Sequence, residues 1–80
     1  MTFLQKQRPD ILITELLDAE WRIAEYNALI EDQRQRIEKL ADEGYDIFSE
    51  QTVYDSLCVS LALHVQTRHR LHAMLNVKVA

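Results

Sequence analysis

Three histidines fall within nine residues of one another late in an 80-residue chain: His64, His69 and His72. His69 and His72 have the i, i+3 spacing at which two imidazoles on one helix can share a metal ion, and His64 lies two turns before His72 on the same predicted face. A tetrahedral set needs ligands that one chain does not supply here, so a metal would require two copies to bring their histidine pairs together. Rim or interface histidines are the simpler reading. His69 and His72 stand as the metal candidates, and no cofactor is expected.

Arg68 and Arg70, in Thr-Arg-His-Arg, together with Lys78 offer a second chemistry, contact with a phosphate backbone. Affinity for nucleic acid comes from clustered bases, and two arginines give little of it, so nucleic acid is disfavoured as a partner. Interhelical pairing of these arginines with acids near Glu20 is the simpler account. Cys58 has apolar neighbours and no cation at helical spacing to favour its thiolate, which reads as a structural thiol. No Ser/His/Asp set, Gly-rich phosphate loop or paired carboxylates in an evident cleft is present, so the chain is not expected to be an enzyme.

The net charge of −4 is unevenly spread: residues 11–50 hold eleven acids and four bases, and residues 51–80 hold one acid and three bases. Apolar residues at 48% and charged residues at 28% describe a chain that folds. One Gly and one Pro leave almost no turn chemistry, which predicts a nearly all-helical protein. The single cysteine fits a reducing compartment, and no run reaches the ~20 apolar residues of a membrane span. With no signal-like segment at the N-terminus, the expectation is a cytoplasmic protein without a membrane partner.

Residues 11–43 read as one long amphipathic helix, entered at Pro9-Asp10 or at Thr14. Its heptad seam alternates Leu16, Ile23, Ile30 and Ile37 with Leu12, Ala19, Tyr26, Gln33 and Leu40. Gln33 in that seam is a candidate for fixing register. Gly44 predicts a left-handed helix stop, with Tyr45 folding back and Asp46 or Ser49 capping the next helix. Residues 48–76 form the return helix, with an apolar stripe of Val53, Tyr54, Leu57, Cys58, Leu61, Ala62, Val65, Leu71 and Leu75; Val59, Leu63 and Met74 fall off it. A loop this short forces antiparallel neighbours. Residues 1–8 are expected to be flexible and residues 77–80 to fray, leaving 9–76 as a single all-α hairpin domain.

A hairpin this small has a core worth only ~3–5 kcal/mol, and the residues ask for more cover than two helices give. Leu17, Trp21, Ala24 and Ala28 form a second stripe on the first helix. The second helix has no charged residue between Ser56 and Thr67, and Leu57, Val59, Leu61 and Leu63 lie within that stretch. These eight residues are the predicted dimer or partner interface. They point to a homodimer in which two hairpins make a four-helix bundle, serving as a protein–protein interaction or adaptor module.

The segments Ile37-Glu38-Lys39-Leu40-Ala41-Asp42-Glu43-Gly44-Tyr45-Asp46, Leu61-Ala62-Leu63-His64 and Arg68-His69-Arg70-Leu71 resemble a group of short alphaproteobacterial helical-hairpin proteins, over residues 20–76. In that group a long helix ends at a Gly-His-Asp-like turn and a second helix carries a Leu-x-x-His…Arg-x-Leu pattern. This chain departs from the pattern with Tyr45 in place of His and Ile47-Phe48 where small residues are common. The resemblance implies a bacterial cytoplasmic hairpin and transfers no site residue. The architecture is also similar to the Rop-like RNA-binding four-helix bundles, although the acidic first helix lacks the bases such a face needs. A Rop-like nucleic-acid binder and a metal-responsive dimer are the alternative expectations.

Overall fold

A computed structural model describes the backbone over residues 9–79 and side chains over 10–76. Among the described residues two helices make up the fold: α1, Pro9–Asp42, and α2, Phe48–Val79. They lie antiparallel along the whole length of a rod 60 × 16 × 16 Å. No strand occurs among the described residues, and no helix is long and apolar enough to cross a membrane. The expectation for residues 1–8 falls outside the described residues, and α2 continues three residues past the end suggested by the sequence.

The start of α1 is settled by Pro9, whose fixed φ and missing N–H suit a first turn, with Asp10 beside the helix dipole. Thr14 does not cap: it lies inside the helix, and its Oγ1 donates to the Asp10 carbonyl at 3.0 Å. The far end closes by a Schellman motif. Tyr45 N donates to Leu40 O at 3.0 Å and Gly44 N to Ala41 O at 3.0 Å, with Gly44 at φ +84°. Asp46 then starts α2: its Oδ1 accepts from Phe48 N at 3.0 Å, and Ile47 O receives the first helical bond from Gln51 N. Ser49, the other expected cap, lies exposed in the first turn.

The seam of α1 holds every heptad residue from Leu12 to Leu40, each buried or half-buried. The facing seam starts at Ile47, just before α2, and continues on the helix with Glu50, Tyr54, Leu57, Leu61, His64, Arg68, Leu71 and Leu75, spaced alternately by three and four residues. This differs from the apolar stripe read from the sequence: Val53, Ala62 and Val65 are exposed, and Met74, expected off the stripe, packs on the core. The reason is that α2 has no polar face in its middle to orient it, so the turn and α1 set its rotation and place polar Glu50, His64 and Arg68 inward.

The two halves of the rod are held differently. At the open end Leu12, Ala19 and Leu71 are buried, with Leu16, Met74 and Leu75 packed against them. At the turn end the seam is only half-buried and carries a polar clamp. Gln33 Nε2 donates to Glu50 O at 3.0 Å and to Glu50 Oε1 at 2.8 Å, while Arg36 Nε reaches the same Oε1 at 3.1 Å. Gln33 thus bonds the facing helix at one height, which is how a polar seam residue fixes register.

Candidate functional site

The polar candidates are mostly engaged in the hairpin itself. His64 is half-buried and stacks on Tyr26, with ring centroids 5.2 Å apart and an interplanar angle of 28°. His69 and His72 are exposed, so the three histidines do not share one environment. Among the described residues no group of three or more His, Cys, Asp or Glu side chains converges on a metal-sized site. Arg68 Nη1 reaches Glu20 Oε1 across the seam at 3.3 Å, the partner anticipated from the hairpin register, while Arg70 is exposed. Cys58 is a half-buried free thiol.

The acidic face of α1 carries its own partners. Arg34 is held between Glu31, with Nε to Oε1 at 3.1 Å, and Glu38. Hydrogen bonds from Arg34 and then Gln35 hold the Glu31 carboxyl down to about 2, and the hydrogen bond to Glu31, with the charges of Glu31 and Glu38, raises the Arg34 guanidinium. Glu50 is also lowered, first by the hydrogen bond from Gln33 and then by the charge of Arg36. Asp18 takes a hydrogen bond from Arg22 at 3.0 Å. These pairs fix side chains on the surface and present no nucleophile beside a base.

Two open grooves mark the two flanks of the hairpin. One, of about 290 Å³, runs past Glu15, Asp18, Arg22, His64 and Thr67. The other, of about 110 Å³, is lined by Arg34, Ile37, Glu38, Gln51 and Tyr54. The heptad repeat carries these assignments along the rod. Leu17 and Ala24 are three and two heptads before Glu38, and Cys58 and Val65 are one and two heptads after Gln51. All four therefore lie on the flank of the smaller groove.

The predicted interface residues divide in three. Leu57 and Leu61 are half-buried in the seam and belong to the hairpin's own packing. Leu17 and Trp21 are 64% and 68% exposed, with exposed Ala24 and Ala28 beside them on the flank and outer edge of α1. Val59 and Leu63 are 62% and 59% exposed. Leu63, one turn before Thr67, faces the larger groove's flank, and Val59 stands on the outer edge of α2. So the exposed residues on α1 and those on α2 do not form one surface, and by the Glu20–Arg68 and Tyr26–His64 pairs only Ala24 and Ala28 lie near the height of Leu63 and Val59. Register follows from sequence spacing alone; the separation around the axis needed the rotation of α2.

Sequence reasoning passed over Glu50, which receives both Gln33 and Arg36, and the Tyr26–His64 stack. Spacing carried the signal for both, since Glu50 and His64 continue the three–four repeat of Tyr54, Leu57 and Leu61. No family model matches the chain, and no curated protein and no solved structure matches it either.

Proposed function

We propose that the chain is a non-enzymatic helical-hairpin module of a bacterial cytoplasm, acting as a homodimer in protein–protein interaction. The observation that carries this reading is the exposure of Leu17, Trp21, Val59 and Leu63 on two well-formed helices. Large apolar side chains exposed on rigid helices, of which Leu17 and Trp21 lie one turn apart on α1, favour a protein contact, and tryptophan is prominent among the anchors of such contacts. The small core supports the same reading, because only Leu12, Ala19, Ile23 and Leu71 are buried apolar residues among those described. A nucleic-acid role is less favoured, since Arg68 is spent on Glu20.

Sedimentation equilibrium tests the proposal. The expected mass is twice that of the 9.4 kDa chain across the micromolar range. Ile30→Asp, in the middle of the seam, is expected to abolish both dimer and helix signal. A stably folded monomer at high micromolar concentration overturns the homodimer.

A further inference from the structure

We propose that His69 and His72 form a two-imidazole chelate for a borderline divalent transition ion, copper(II) most tightly, with water filling its remaining positions. A closed tetrahedral protein site would need ligands from a second copy, but a labile, half-hydrated one does not. One chain supplies both rings, so the site is independent of the homodimer reading.

Three observations carry it. The first is presentation. His72 is three heptads after Gln51, which lines the smaller groove, and His69 is one turn before His72, so both exposed rings stand on that flank of α2. On a helix the Cβ atoms of residues three apart lie about 5–6 Å from each other. Helical side chains lean toward the N-terminus, which inclines His72 back over His69. Two imidazole nitrogens, each about 2.0–2.1 Å from a shared ion, bridge that span.

The second is that both rings are unengaged. Among the described residues, neither the His69 nor the His72 side chain makes a hydrogen bond, ion pair or ring contact. His64 is excluded as a ligand, because it is half-buried in the seam and stacked on Tyr26.

The third is that little opposes a cation there. Arg68, immediately before His69, is paired with Glu20 at 3.3 Å. Arg70, one heptad after Leu63, faces the other flank, and the chain as a whole carries −4.

Ligand type selects the ion. Imidazole suits zinc, nickel and copper(II), whereas magnesium and calcium take oxygen ligands. Between His69 and His72 the turn carries Leu71, which is buried with Leu12 and Ala19. An ion held across that turn keeps it helical where the core is, so binding favours the folded chain.

Calorimetric titration of the full chain with copper(II), nickel(II) or zinc chloride at about pH 7.5, above the ordinary imidazole value, tests the site, with magnesium chloride as control. One ion per chain is expected, bound most tightly for copper(II) and not at all for magnesium. His69→Gln and His72→Gln should each weaken copper(II) binding at least ~10-fold, because losing either ring ends chelation. Two further variants hold the number of histidines constant, using exposed Ala73. His72→Gln with Ala73→His sets the rings four apart on one face and should restore binding. His69→Gln with Ala73→His sets them on adjacent residues, which do not face each other, and should not. With copper(II) about tenfold above its Kd, the melting temperature of the unsubstituted chain should rise by about 5–10 °C. Absence of copper(II) binding, unchanged affinity in either single variant, equal binding by the two Ala73→His variants, or one ion per two chains overturns the chelate. None of these results bears on the homodimer, which the sedimenting mass of the metal-free chain decides separately.

Discussion

Leu12→Ala should be among the most damaging single truncations in this protein. Leu12 is 2% exposed and packs at the open end of the rod with Ala19 and Leu71. The change removes three carbons, worth ~2.4 kcal/mol of transfer at ~0.8 each, and a residual cavity adds to that. The neighbouring Leu16, Met74 and Leu75 are only partly buried and can close part of the space. We therefore expect about 3 kcal/mol in total. For a chain of this size each kcal/mol moves the midpoint by roughly 4–8 °C, so the melting temperature should fall by about 12–24 °C. The assay is thermal and urea unfolding followed at 222 nm, with Ile37→Ala as the comparison. Ile37 is a half-buried seam residue of the turn end, and its truncation should cost less. A loss below about 1 kcal/mol for Leu12→Ala, or a larger loss for Ile37→Ala, would show that the core is not where the packing puts it.

Two further outcomes can be checked on the same samples. Gly44→Ala should destabilise by about 1 kcal/mol and Gly44→Asn by less, because the cost lies in the positive φ alone; an added Cβ meets nothing within 4 Å, so an equal loss for both would refute that reasoning. Acid should weaken the fold through Glu31 and Glu50, whose carboxyls are lower in the folded chain than in the unfolded one. That stabilisation is present above the ordinary carboxylate value of 4.5 and is lost as pH falls toward about 2 for Glu31. Arg34→Gln should flatten the acid limb of a melting-temperature profile, and an unchanged slope would count against the Arg34–Glu31 pair as its source.

Much of α1 could be read directly from its residues. From Leu12 to Leu40 the buried or half-buried positions are the nine seam residues and no others, because a long helix against one partner has a single periodic face. Gly44 and Asp46 were equally legible, since left-handed backbone and a first-turn carboxylate are local chemistry. α2 was not. A helix that is apolar on all sides carries no internal signal of rotation, so Val65 and Ala62 looked like core while Glu50, His64 and Arg68 did not. The expected interface inherits the same ambiguity: Trp21 and Leu63 both read as needing cover, and only the rotation of α2 shows that they face different ways.

The uneven packing along the rod governs how it comes apart. The turn end is the segment that a folding chain closes first, since its partners are nearest in sequence and loop closure there costs least. Yet the buried contacts lie at the other end, between residues as distant in sequence as Leu12 and Leu71. A half-zipped hairpin has therefore bridged its shortest loop while holding only a polar clamp and half-buried side chains, and it gains most of its stability in the final turns. Such a molecule unlatches from the open end and, once unlatched there, has little to stop the rest. A change at Leu12, Ala19 or Leu71 therefore acts directly on the latch.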